Sequence, residues 1–189
     1  MAALTLVFAF SVSAADKKKT AAPYDFEAEY AEYQAFVEET KKTAKDDKDY
    51  FVQIEKFDKT HPKCVMSKVD VAIGALRKKG GAQKADTYLK RAYALFKQLP
   101  QSPNADDAKA YYYQAMAEKH LLVKTDIKAF NENKKLCQEL SKERGMQLDY
   151  LAGNFYFDVG FQLMRQKNAP DGTFKKGTDF MFDSMLAYQ

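Results

Sequence analysis

The chain has no tryptophan, only two cysteines, two histidines, five prolines and eight glycines among its 189 residues. Each shortage excludes something. So few glycines and prolines argue against a strand-and-turn architecture and for long helices. The two histidines, His61 and His120, have no Cys, Asp or Glu at metal-ligand spacing on their own helical faces, so no metal site and no cofactor is expected. A phosphate-cradling glycine loop and a G-x-S-x-G nucleophile elbow are both missing. Charge of one sign is also lacking: 30 basic residues against 26 acidic ones give a net charge of +4, with the lysines scattered. Nucleic acid calls for a clustered basic stripe, so it is not an expected partner.

Long hydrophobic runs are scarce as well. The longest, within MAALTLVFAFSVSAAD, extends from Ala2 to Ser13, too short for the roughly 20 residues a bilayer demands. Followed by Ser13, Ala14 and Ala15, it reads as the core of a secretory signal peptide over residues 1–15, although no Lys or Arg precedes it. A first helix buried in the fold is the alternative reading of the same run. The first reading implies a periplasmic or secreted protein, with a Lys-rich leader at 16–23 and a folded domain over 24–189. Membrane association is then expected only through a partner. Export permits the single pairing of Cys64 with Cys137, but in a stacked array of helix hairpins of the kind the resemblance given below implies, the two would fall on non-adjacent helices, so two free thiols are expected, Cys137 buried and Cys64 near the surface.

What the sequence does have is apolar residues at intervals of three and four. Tyr30, Tyr33, Phe36 and Val37 make one stripe; Phe51, Ile54 and Phe57 a second, stopped by Pro62; Val65 to Leu76 a third, closed by Gly80-Gly81. Leu89 to Leu99, Tyr113 to His120, Phe130 to Leu140, Leu148 to Arg165 and Phe174 to Leu186 complete eight helices, an all-α chain of antiparallel hairpins. Recurrences at 38 to 41 residues, such as Pro62 to Pro100 and Leu99 to Leu140, suggest stacked repeats.

Val69, Ala72, Ile73, Leu76, Gly80, Ala85, Leu89 and Ala92 are spaced in a way that resembles the tetratricopeptide repeat. Tyr156, Val159, Gly160 and Leu163 resemble its first helix again, as do Tyr113, Met116 and Ala117 in a hairpin stretched by about three residues. The phrase PQSPNADDA is similar to repeat junctions in exported bacterial helical-repeat proteins. The resemblance covers about residues 47–189 and implies a solenoid that binds a protein or peptide on its concave face. The matching positions are Tyr111, Gln114 and Glu118 on the fifth helix and Asp70 and Arg77 on the third.

In this register Tyr113 is the core member of the triplet Tyr111-Tyr112-Tyr113, and Tyr111 stands exposed in the groove. Carboxylate pairs such as Asp106-Asp107 diverge on a helix and read as solvated faces or helix starts rather than a catalytic dyad. The expected function is a non-catalytic helical-repeat adaptor of the cell envelope, not an enzyme. The alternative is a closed helical bundle carrying an apolar ligand, suggested by Phe155, Tyr156, Phe157, Val159, Phe161, Leu163 and Met164, which surround most of one helix. Exposure of Phe180 or Phe182 would point to a homodimer or docking face.

Overall fold

Helix-start chemistry shapes the chain. Asp25, Asp46, Ser102, Asp126 and Ser141 each turn a side-chain oxygen onto a backbone N–H three residues on, an interaction worth about 1 kcal/mol per cap. The computed structural model describes residues 24–166 and 172–187; the signal-peptide and leader segments read from the sequence lie outside the described residues. These caps and their neighbours yield eight α-helices: α1 (Phe26–Thr43), α2 (Asp47–Thr60), α3 (Val65–Leu76), α4 (Ala82–Phe96), α5 (Pro103–Lys119), α6 (Ile127–Leu140), α7 (Lys142–Met164) and α8 (Thr173–Ala187). Among the described residues there is no strand.

The breaks follow the residues. Gly80 takes a positive φ of 79° between α3 and α4, and Pro103 occupies the first position of α5, where its missing N–H costs nothing. Between α5 and α6 a π-helical turn, His120–Lys124, ends on Thr125 in the left-handed region, with the Asp126 N–H donating to the His120 carbonyl at 2.9 Å. This turn lies in the hairpin that the sequence reads as stretched. Helices α1, α3, α5 and α7 begin 39, 38 and 39 residues apart, within the range of the sequence recurrences or one residue from each other.

Packing follows chain order. Helix α3 lies on α4, α5 on α6 and α7 on α8, while α3 also meets α5, α5 meets α7, and α1 reaches α2, α3 and α5. Three apolar clusters result. Tyr33, Ile54 and Phe57 centre the first; Val69, Ala72, Ile73, Ala85, Leu89 and Ala92 the second; Leu121, Phe130, Cys137 and Leu148 the third. The second contains six of the positions that carry the repeat resemblance. A fully buried Leu, Ile or Phe in such a cluster contributes about 1.5–3 kcal/mol.

Helix α5 contributes to all three clusters, which explains its tyrosine triplet. A helix with neighbours on several sides can bury consecutive residues that point about 100° apart. Tyr112, not Tyr113, is the most buried, at 7% exposure, against Phe96 and Tyr93 of α4. Tyr113 is half-buried edge-on to Phe96, and Tyr111 turns toward α3 and α1. Cys64 also departs from expectation. It is only 2% exposed because the helix it starts is buried nearly all round; its Sγ accepts the Ser67 N–H at 3.5 Å. Both cysteines are free thiols.

Helix α8 covers part of the apolar girdle of α7, with Tyr156 against Phe180 and the Gly160 and Gly177 backbones in close approach. Phe157 and Phe161 are left exposed and stacked on each other. Phe180 is half-buried; Phe182 is exposed. No described helix is long and apolar enough to cross a membrane.

Candidate functional site

The third helix is buried nearly all round, from Val65 to Ala75, and Asp70 lies in the middle of it. A carboxylate there needs partners, since burying it unpaired costs far more than a neutral group. It finds two tyrosine hydroxyls: Tyr33 of α1 donates to Oδ2 and Tyr111 of α5 to Oδ1. Burial pushes the Asp70 carboxyl above the usual carboxylate range, against the pull of Tyr111, Tyr33, Arg144 and Arg77. Burial and the adjacent Asp70 charge likewise push both tyrosine hydroxyls well up.

Nearby on α5, Asp107 is held by a different set. Arg144 of α7 reaches it in a forked contact, Nε to Oδ1 at 2.8 Å and Nη2 to Oδ2 at 2.9 Å, and the Tyr30 hydroxyl of α1 donates to Oδ2 at 2.9 Å. Burial alone would raise this carboxyl, but the Arg144 hydrogen bonds and charge outweigh it, so Asp107 sits below the ordinary range. Burial and the hydrogen bond to Asp107 push Tyr30 up to about 12. The Arg144 guanidinium also lies 4.3 Å over the Tyr111 ring and reaches Gln114 at 3.4 Å.

Gln114 extends the network. Its amide donates to Glu118 at 3.3 Å and to Gln147 of α7 at 3.1 Å. Glu118 is buried, and that burial raises its carboxyl, with Arg77 pulling the other way. Arg77 itself is exposed, its guanidinium 5.8 Å over the Phe51 ring. All five residues named from the sequence therefore belong to one electrostatic neighbourhood. Asp70 and Tyr111 are in direct contact, Gln114 and Glu118 are in contact with each other, and Arg77 acts on both carboxylates through its charge.

The neighbourhood is not an open groove with Tyr111 exposed. Tyr111 is half-buried and its hydroxyl is engaged. The physical reason is α1, which lies over this face and fastens to it through Tyr30, Tyr33 and Glu27; Glu27 accepts from Ser102 and Asn104 at 2.5 Å each. What remains is a polar cavity of about 170 Å³ lined by Tyr33, Gln34, Tyr50, Asp70, Tyr111 and Arg144 among others.

Sequence reasoning missed Tyr30, Tyr33, Asp107 and Arg144. The tyrosines show in the sequence as an apolar stripe, and nothing local assigns their hydroxyls to acceptors 37 and 77 positions away. Asp107 reads as a helix-start residue beside Asp106, yet only Asp106 stands in the first turn of α5, where it also pairs with Lys109 at 2.9 Å. The histidines stand elsewhere. His61 caps the end of α2 and stacks on Phe57 at 3.8 Å, and His120 opens the π turn with a buried Nδ1 that has no hydrogen-bond partner among the described residues. Among the described residues there is no group of three or more His, Cys, Asp or Glu able to hold a metal.

Chemically, the arrangement is suited to clamping helices. Asp70 is engaged by hydroxyls from α1 and α5 and Asp107 by a hydroxyl from α1 and a guanidinium from α7, while Glu118 takes the Gln114 amide of its own helix. Compared with protein-family models, curated proteins and solved structures, the chain matches none.

Proposed function

We propose that the protein is a non-catalytic, tetratricopeptide-like adaptor of the cell envelope whose α3–α5 face receives a helix from a protein partner. One observation supports this reading above others: that face already holds a helix. Tyr30 and Tyr33, one turn apart on α1, give their hydroxyls to Asp107 and Asp70. A partner helix carrying donors at the same spacing meets the same acceptors in place of α1, the helix-in-groove mode of recognition. The envelope assignment rests on the apolar run and small residues of segment 1–15. The apolar-carrier alternative gains nothing from the polar cavity, which is smaller than the roughly 300–1,000 Å³ of most ligand pockets.

The test is photocrosslinking in the producing cell from a photoreactive residue at Arg77, exposed at the end of α3 on the face that would receive the partner. It is run in the wild type and in the Tyr30→Phe/Tyr33→Phe double variant. A discrete protein adduct that strengthens when α1 is loosened supports the reading. No adduct in either background, with helicity intact by circular dichroism, removes it.

A further inference from the structure

A second cleft, of about 620 Å³, opens between the end of α2, the start of α3 and the second half of α4. Its volume is that of ordinary small-molecule sites, about 300–1,000 Å³. None of its lining residues belongs to the polar cavity under α1, so its use as a site is independent of the adaptor reading. Tyr88, Arg91 and Leu95, three and four residues apart, reach it from one face of α4. Asp58 and Lys59 come from α2, Pro62 from the turn after it and Lys68 from α3.

The inner wall is a built ion pair. Lys68 is 5% exposed and Asp58 7%. The Lys68 ammonium donates to Asp58 Oδ1 at 2.9 Å and to the Cys64 carbonyl at 3.3 Å, and the Ser67 hydroxyl donates to the same Oδ1 at 2.8 Å. A lysine so enclosed is costly unless paired, and Asp58 balances it. An ammonium has three donors, so Lys68 keeps one beyond these two contacts.

The outer cations are not balanced. Among the described residues Lys59 has no acceptor, and Arg91 has only the face of the Tyr88 ring, 5.2 Å away. The Tyr88 hydroxyl has no hydrogen-bond partner among them either. Lys84, by contrast, lies 6.0 Å over the same ring but is committed to Glu55 at 2.6 Å. The cleft therefore sets three cations, Lys59, Lys68 and Arg91, against the one carboxylate of Asp58, a net charge of +2. Beside them lie the apolar surfaces of Tyr88, Pro62 and Leu95.

We propose that this cleft binds a small phosphate monoester with an apolar body. Such a group carries about −1.5 to −2 at pH 7, which matches the lining, whereas a monocarboxylate leaves one cation unmatched. Its three terminal oxygens accept from the Arg91 fork, the Lys59 ammonium and the Tyr88 hydroxyl. The ester body lies against Tyr88, Pro62 and Leu95, and the Lys68–Asp58 pair keeps the inner wall in place.

The test is an NMR titration of the full chain with phenyl phosphate, following backbone amide shifts at low ionic strength, where exposed charges are least screened. Saturable shifts should concentrate at residues 58–62, 68 and 88–95. Lys59→Gln and Arg91→Gln should each weaken binding about tenfold or more, and amide shift dispersion checks that both fold. Lys42→Gln, which removes an exposed charge outside the cleft, should leave affinity unchanged. Inorganic phosphate lacks the apolar body and benzoate the second charge, so each should bind about tenfold more weakly than phenyl phosphate. Shifts absent up to about 10 mM phenyl phosphate, or centred elsewhere, overturn the proposal. An affinity indifferent to Lys59→Gln and Arg91→Gln, or lowered as much by Lys42→Gln, overturns it too. Inorganic phosphate or benzoate binding as tightly as phenyl phosphate does the same.

Discussion

Tyr33 and Tyr111 donate to the two oxygens of one buried carboxylate, Asp70, although they sit on α1 and α5 and Asp70 on α3. Three helices are thereby fixed to one another by two hydroxyls. Apolar packing alone is tolerant of small slides, whereas a carboxylate with an assigned donor on each oxygen fixes register. The same design recurs at Asp107, which ties α5 to α7 through Arg144 and to α1 through Tyr30. The seating of α1 thus depends on ionisable groups, and its strength should follow their protonation.

Asp70 and its neighbours yield a prediction with a definite sign. Its folded-state carboxyl is raised, so the stability it confers is full below the unfolded value, near 3.9, and is lost as pH rises toward the folded value. Asp70→Asn removes this dependence while keeping one acceptor for the tyrosines. The variant should gain on the wild type as pH is raised from roughly 4 to 7. Tyr33→Phe, which strips a donor from the buried carboxylate, should cost about 1.5–3 kcal/mol at neutral pH. Urea unfolding at the two pH values measures both, and a pH-independent gap between wild type and Asp70→Asn would count against a raised Asp70.

Asp107 should behave in the opposite sense. Its folded-state carboxyl is lowered, so its contribution is present above the unfolded value and is lost as pH falls through the folded one. Asp107→Asn leaves the buried part of Arg144 without its counter-charge and should cost about 2–4 kcal/mol at neutral pH. That cost should shrink as pH falls below roughly 4. Arg144→Lys keeps the charge but loses the fork, so it should recover only part of the loss. The readout is again equilibrium unfolding across pH.

Much of the fold is legible in the sequence because its signals are local. Intervals of three and four, Pro62, Gly80, Pro103 and the capping Asp and Ser residues define eight helices, and the recurrence of about 38 residues is realised in the starts of α1, α3, α5 and α7. Five residues placed on the inner face by a repeat resemblance do cluster, since helix periodicity fixes which side of α3 and α5 they occupy. Tertiary crowding is what the sequence conceals. Tyr112 rather than Tyr113 is the buried member of its triplet because α5 has neighbours on several sides, and a single-face reading has no means of ranking consecutive residues. That α1 closes the groove depends on contacts 37 to 77 residues apart, for which no local pattern exists. Cys64 reads as a surface helix start, yet in a buried α3 even the cap position is enclosed.

The two thiols should be unreactive in the folded state. Burial pushes both Cys64 and Cys137 up to about 11, so thiolate, the reacting form, is scarce at neutral pH as well as shielded. Iodoacetamide at mildly alkaline pH should leave the native protein unmodified over times that fully alkylate it in denaturant, when intact mass should show two adducts. Rapid native labelling of Cys64 would mean that the start of α3 is open in solution.

The last prediction concerns the seam between α7 and α8, where two glycines let backbones touch. A Cβ on Gly160 would stand 2.6 Å from the Gly177 carbonyl oxygen, and a Cβ on Gly177 2.8 Å from the Gly160 carbonyl oxygen. Backbone atoms cannot rotate aside as a side chain can, so Gly160→Ala must push the helices apart, at about 1–3 kcal/mol. The damage should stay local, because α8 meets the rest of the described chain chiefly through α7. Hydrogen exchange should therefore show α8 amides losing protection while those of α3 and α4 keep theirs. Gly80→Ala serves as the comparison: nothing lies within 4 Å of its Cβ, and its penalty comes only from a φ of 79°. That variant should lower stability by about 1 kcal/mol without selective loosening of α8. If Gly160→Ala instead weakened protection evenly across all helices, the terminal hairpin would be unfolding with the rest of the chain as one cooperative unit rather than as its own.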